Sequence, residues 1–262
     1  MNSSSPAVCD KLIFDIGMHK GQDSRFYLKQ GYKVIAVEAN PILAKRNTEK
    51  FKDYIDSGQL IIENAGMADK KGILPFYINH SLSKWSSFNK EYGSRRGKFE
   101  VVDVECITIH DLFEKYGIPY YIKVDIEGYD YYVINHLPGN KVPYVSCEFT
   151  DIELLDALKE KGYKKFKMIS QGDNFKPINL KKERTKWFPK YLHYKNGIVM
   201  RLQNFIPLVP HPYSSSGPFG ENTKGAWRSY EDIRQAFFDF NKGKNGEALH
   251  QHDWFDLHAS NG

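Results

Sequence analysis

Five short apolar runs along this chain each stop at an acidic residue, and that repetition restricts the fold more than any other feature. Residues 12–14 end at Asp15, 34–37 at Glu38, 60–62 at Glu63, 120–124 at Asp125 and 142–147 at Glu148. Short continuous apolar runs bounded by polar residues read as strands buried on both faces. Helical patterns separate them: residues 22–30 before the stop signal Gly31, a helix opened by Asn40-Pro41, and residues 154–161. Asn suits the cap position and Pro the first turn. Buried strands alternating with helices predict an α/β fold, a doubly wound Rossmann-like sheet of about seven mostly parallel strands. Ligands of such sheets bind beyond the carboxyl ends of the strands. Here those ends carry acids.

The remaining segments fill in this frame. Residues 164–169 and 197–202 are expected to complete the sheet, and 73–78 and 99–106 read as further strands. Residues 79–98 read as a long polar loop, of a length that suggests function or disorder rather than scaffold. Thr108-x-x-Asp111 and Thr150-x-x-Glu153 look like capping boxes. Residues 170–195 read as a loop-rich insertion, and Pro207, Pro210, Pro212 and 214–218 as a linker or ordered loop. Ser229-x-x-Asp232 caps a helix with Ile233, Phe237 and Phe240 on one face. The expected division is a main domain over 1–202 and a C-terminal extension over 203–262, packed on it through the aromatic segment 253–258.

Composition excludes several classes. With 41% apolar residues in 262, the chain can build a globular core. Its net charge of +5 is scattered along the chain, so a nucleic-acid partner is not expected. Cys9, Cys106 and Cys147 have neither paired nor metal-ligand spacing, which fits a reducing cytoplasmic setting. Residues 1–6 lack the apolar stretch of a signal peptide, and no run is long enough to span a bilayer.

Three motifs carry chemistry. Asp15-Ile16-Gly17-Met18-His19-Lys20-Gly21 joins a buried strand to a helix, with glycines where backbone could approach a ligand. It is not the full G-x-G-x-x-G of dinucleotide sites. Glu38 ends the next strand, where an acid can accept both hydroxyls of a ribose. Lys123-Val124-Asp125-Ile126-Glu127-Gly128 then places two carboxylates at an interior strand end. That charge would repel a phosphate-bearing cofactor and suits the sulfonium of S-adenosylmethionine.

These stretches resemble the FkbM-type family of class I S-adenosylmethionine-dependent methyltransferases. The matching residues are Phe14-Asp15-Ile16-Gly17 with Gly21, Val37-Glu38-Ala39-Asn40-Pro41, and Ile122-Lys123-Val124-Asp125-Ile126-Glu127-Gly128. Met18-His19 stands where Ala-Asn is usual, and Ala39 where Pro is usual. The resemblance covers roughly residues 11–150. It implies O-methylation of a hydroxyl on a small molecule, often a sugar or glycoconjugate. Asp15, Gly17, His19 and Gly21 would then hold the methionine part, and Glu38 with Ala39 the ribose. Asn64-Ala65-Gly66 would lie against adenine, and Asp125 with Glu127 beside the methyl donor.

Transfer to a hydroxyl needs alignment and a proton acceptor. Asp125 is the first candidate base and Glu148 the second, with Lys123 able to stabilise charge; His80 and His136 are alternatives from nearby loops. Trp85, Ser87 and Arg95 in the long loop are candidates for shaping the acceptor pocket. Asp125, Glu148 and Asp151 have the oxygen chemistry of a hard-cation site, but spacing does not select it and no metal is expected. Three competing readings remain: a ribose 2′-O-methyltransferase acting on RNA, a non-catalytic S-adenosylmethionine-binding module, and a nucleotide-dependent oxidoreductase.

Overall fold

The computed structural model describes residues 7–171, 177, 217–241 and 255–262. The strand expected over 197–202, the proline-bearing stretch 207–212 and Trp254 lie outside the described residues.

Each of the five acid-ended apolar runs forms a strand. In chain order the strands are β1 (Val8–Ile16), β2 (Lys33–Val37), β3 (Leu60–Glu63), β4 (Gly66–Met67), β5 (Gly72–Asn79), β6 (Phe99–Ile107), β7 (Ile118–Val124), β8 (Tyr144–Glu148), β9 (Lys165–Ser170) and β10 (Phe255–Ser260). The helices are α1 (Gln22–Lys29), α2 (Pro41–Lys50), α3 (Lys52–Asp56), α4 (Lys90–Gly93), α5 (Ile109–Tyr116), α6 (Asp130–Asn135), α7 (Ile152–Glu160) and α8 (Tyr230–Asn241). Seven strands form one sheet in the order β3-β2-β1-β7-β8-β10-β9, and β4-β6-β5 form a small second sheet. β3, β2, β1, β7 and β8 pair in parallel, so their carboxyl ends share one edge.

Side chains alternate across this sheet because successive strand residues point to opposite faces. Phe14, Ile16, Ile35, Val37, Ile122, Val124, Val145 and Leu257 join Leu112 of α5, Ile134 of α6, Leu155 of α7 and Ile233 of α8 in one apolar cluster. Ile13, Val34, Ala36 and Tyr121 join Tyr27 and Leu28 of α1, with Phe51 and Phe219, in another. The sheet is therefore covered on both faces, as continuous apolar strands require. Each fully buried Ile, Leu or Phe contributes about 1.5–3 kcal/mol.

Local signals set the helix boundaries. Asn40 Oδ1 accepts from the Ile42 and Leu43 amides at 3.0 and 3.4 Å. Thr108 and Asp111 form the reciprocal capping box that their spacing predicted. The second expected box is absent: Asp151, not Thr150, caps α7, accepting from the Glu153 amide at 3.1 Å. Ser229 Oγ accepts from the Asp232 amide at 3.1 Å before α8.

The end of the chain departs from expectation. Residues 255–260, expected within an extension laid on the domain, are a strand inside its sheet. β10 runs antiparallel between β8 and β9, pairing Asp256 with Glu148 and Leu257 with both Cys147 and Met168. Every residue of β10 is buried, including Asp256, His258 and Ser260. Because β10 is reversed, its first residues reach the edge where the parallel strands end. Among the described residues, no helix is long and apolar enough to cross a membrane.

Candidate active site

The turn after β1 is built on close backbone approach. Gly17 has φ 92°, and its amide and that of Met18 both donate to Val37 O, at 3.0 and 2.9 Å. A Cβ on Gly17 would stand 1.9 Å from the Asp125 carbonyl oxygen. Only glycine therefore lets the ends of β1 and β7 touch here. Gly21 has φ 74°, and its missing Cβ makes room for the Phe51 ring and the Met18 methyl.

The neighbouring strand end is organised around Glu38. Its buried carboxylate accepts from the His19 amide at 2.6 Å and the Asn40 amide at 2.8 Å. His19 is held in a left-handed conformation, φ 50°, and Asn47 Nδ2 donates to its carbonyl at 2.7 Å. Asn64 Nδ2 donates to Glu38 O at 2.8 Å, which brings the β3 end to the same place. Ala65 is buried, and Gly66 gives its side-chain space to the Phe88 ring. Burial pushes the Glu38 carboxyl up to about 7, against the two amides that favour its ionised form. Glu63 is turned to α5, where it accepts from Lys115 at 2.7 Å and from Tyr116.

Lys123 is the charge centre of the site. Its side chain is 4% exposed, and its ammonium stands 3.0 Å from Asp23, 3.2 Å from Asp125 and 3.7 Å from Asp15. Burial works against its charge, but these carboxylates outweigh it and hold the ammonium well above its ordinary value. Asp15 is fully buried and takes a hydrogen bond from Ser24 of α1 at 2.5 Å. Burial raises it to about 6, with Asp23 and Asp125 adding to the rise and Lys123 opposing it. Lys123 so joins the ends of β1 and β7 and the first turn of α1. Asp125 is the accessible acid of this group, with a side chain 42% exposed.

A second set of acids stands beyond Asp125. Burial, then Asp125 and Glu148, raise Glu127 to about 8. Burial, then Asp125 and Asp130, raise Glu148 to about 7. Asp130 also rises to about 7 through burial and Asp125. Asp256 at the start of β10 is raised well above the carboxylate range by burial, then by Asp125. Carboxyl groups that hold protons near neutrality can give or take one at a reacting centre.

The long loop is ordered and docked on this edge. His19 Nε2 and Ser83 Oγ lie 2.8 Å apart, and Ser87 Oγ donates to Glu127 O at 2.8 Å. Ser87 is buried, so its hydroxyl is committed to the fold. Phe88 packs on Tyr129 with centroids 5.5 Å apart. Trp85 lies in a 3-10 turn and is half-buried, and Arg95 is exposed beside it.

Asp15, Gly17, His19, Gly21, Glu38, Ala39, Asn64, Ala65, Gly66, Lys123, Asp125, Glu127 and Glu148 thus belong to adjoining strand ends and the turns after them. The alternative bases do not join them. His80 pairs with Glu100 of β6 at 3.4 Å, and His136 is half-buried with Nδ1 2.6 Å from Tyr132 O. Asp151 is occupied as a cap, and among the described residues no three His, Cys, Asp or Glu are grouped to hold a metal ion. Reasoning from sequence missed Asp23, Asp130 and Asp256. Asp23 and Asp130 carried a signal, an acid in the first turn of a helix following a site motif. Asp256 carried none, because its strand was not foreseen.

A crystal structure of Methyltransferase FkbM from Methylobacillus flagellatus KT is similar over 53% of this chain and 32% of its own, with 15% identity and a TM-score of 0.36. This chain therefore spans about a third of that one. A protein from Galdieria sulphuraria that carries the name of a sarcosine dimethylglycine methyltransferase is similar over 97% of this chain and 79% of its own, with 10% identity and a TM-score of 0.41. No curated protein matches the chain. Residues 15–165 match the Methyltransferase FkbM domain, a span of more than half the chain that holds every motif assembled above. The chain belongs to the FkbM methyltransferase family.

Proposed function

We propose that this protein transfers the methyl group of S-adenosylmethionine to a hydroxyl of a small molecule, a sugar or glycoconjugate, in a reducing cytoplasm. The observation that carries this reading is the meeting of Gly17, Glu38 and Asp125 on one sheet edge, with Gly17 backed against the Asp125 carbonyl. The residues fit this cofactor. The glycine turn brings the ends of β1 and β7 together at the edge where the ligand would lie. Glu38 offers a buried acceptor at the ribose position, and the surrounding carboxylates suit a cationic ligand without phosphates. Bound there, S-adenosylmethionine supplies an electrophilic methyl group on a sulfonium.

The chain's own residues do the rest. Lys123 holds Asp15, Asp23 and Asp125 in place at the shared edge. Asp15, Gly17, His19 and Gly21 shape the methionine end, and Glu38 with Ala39 fixes the ribose. Asn64, Ala65 and Gly66 border the adenine. Asp125, the most open acid, orients the acceptor hydroxyl and takes its proton, with Glu148 and Glu127 as the groups to which that proton passes. Trp85 and Arg95 border the acceptor.

The test is transfer of labelled methyl from S-adenosylmethionine to a panel of hydroxylated acceptors, sugars first, by the wild type and by Asp125→Ala. The reading expects label on an acceptor oxygen and a loss of at least about a hundredfold in the variant, the scale of general-base catalysis. Undiminished transfer by Asp125→Ala would overturn the assignment of the base.

A further inference from the structure

The segment from 84 to 98 carries Lys84, Lys90, Arg95, Arg96 and Lys98 against a single acid, Glu91. Two of its cations are built into an aromatic stack. The Tyr92 ring lies 3.6 Å from where a Cβ on Gly128 would stand, so it rests against the turn that follows Asp125 and Glu127. The Arg95 guanidinium sits 4.0 Å from the Tyr92 centroid and 5.7 Å from that of Trp85. Arg96 covers the same indole at 4.9 Å. Stacking fixes the guanidinium planes and leaves their N–H edges free to donate.

The stack is pre-formed. Buried Asn79 donates to the Gly93 and Arg95 carbonyls at 3.0 and 2.8 Å and accepts from the Ser81 and Leu82 amides at 2.9 and 2.8 Å. One side chain thus closes both ends of the loop. Arg96 is held at φ 64°, a left-handed conformation that costs a non-glycine residue energy and that folds retain where function uses it. Two like charges therefore share one indole, and among the described residues no carboxylate pairs with either. An oxyanion between them would relieve that repulsion through charge-assisted hydrogen bonds.

The charge pattern gives the bound molecule a direction. The inner side, with Asp125, Glu127 and Glu148, is lined by acids beside the buried Lys123, whereas the outer rim presents two guanidinium groups. We propose that the acceptor is a small hydroxylated molecule bearing an oxyanion, of the sugar phosphate or sugar acid type. Arg95 and Arg96 hold its charged end while a neutral hydroxyl points inward to Asp125. This inference rests on the methyltransferase reading above, for it uses Asp125 as the reacting end.

The test is calorimetric binding to the full chain, first of S-adenosylmethionine and then, with that site filled by S-adenosylhomocysteine, of glucose 6-phosphate, glucuronate, p-nitrophenyl phosphate, glucose and a short RNA. The proposal expects at least one anionic small molecule to bind about tenfold or more tightly than glucose, the worth of one charge-assisted contact. Arg95→Gln/Arg96→Gln should abolish that preference and leave S-adenosylmethionine affinity unchanged. Arg95→Lys/Arg96→Lys should restore it only in part, since ammonium groups keep the charge but lose the planar fork. Equal binding of charged and neutral sugars, no binding of any anionic small molecule at millimolar concentration, or tighter binding of RNA than of all of them would overturn it. If S-adenosylmethionine itself does not bind, the functional reading has failed; if it binds without anion preference, only this inference has.

Discussion

Replacing Lys123 by Met removes the buried cation and keeps most of the side-chain volume. At an effective dielectric of about 20, a carboxylate 3.0 or 3.2 Å away attracts the ammonium by roughly 5 kcal/mol. Desolvation of the ions takes back several kcal/mol, and breaking a buried pair typically costs about 3–5 kcal/mol. Asp125 is 42% exposed and water screens part of its share, which places the expected loss near the lower end, about 3 kcal/mol at pH 8. The loss should shrink at lower pH. Asp15 is raised to about 6, so near pH 5 it holds a proton and Lys123 has one charged partner fewer. Urea unfolding followed by circular dichroism at the two pH values measures both deficits. Equal deficits, or one below about 1 kcal/mol at pH 8, would refute the assignment of Lys123 as counter-ion to these acids.

Other expectations follow from the same geometry. Gly17→Ala puts a Cβ 1.9 Å from the Asp125 carbonyl oxygen at φ 92°, so it should lose more than the roughly 1–2 kcal/mol of a left-handed alanine and should part β1 from β7; a thermal melt unshifted from wild type would contradict this. The ligand-free protein should lose stability as pH rises. Glu38, Asp130 and Glu148 are raised to about 7 and Glu127 to about 8, so their protonated forms favour the fold below pH ~4, and that contribution disappears through pH 6–8. Urea midpoints at about pH 6 and 8.5 check the sign, and a higher midpoint at the alkaline value would be contrary. Removal of residues 255–262 takes β10 from between β8 and β9 and should leave no cooperatively folded protein by circular dichroism.

Much of this architecture was legible because hydrophobic burial leaves a simple trace. Strands buried on both faces are continuous apolar runs, and β1, β2, β3, β7 and β8 each stand where such a run does. β10 was hidden by its composition. Its aromatic residues pointed to an extension packed on the domain, whereas its polar Asp256, His258 and Ser260 gave no continuous apolar run, yet tertiary packing buries all three. The α7 cap shows a different limit: Thr150 and Asp151 both suit the position, and only backbone geometry selects between them. The glycine turn, Glu38 and the Asp125 loop were readable because a close approach demands glycine and a strand end exposes its acid. The cluster around Lys123 was not. Asp23 comes from a helix and Asp256 from a reversed strand, and no spacing along the chain reports that both reach the same edge.

The central claim is that neighbouring strand ends form one receptor for a cationic nucleoside. Isothermal titration of the purified full chain with S-adenosylmethionine tests it most directly, with Glu38→Ala as the paired variant. The account predicts one molecule bound per chain and an affinity about tenfold or more weaker in the variant, the worth of a hydrogen bond to a charged group. No heat of binding in the wild type, or equal affinity in Glu38→Ala, would contradict it.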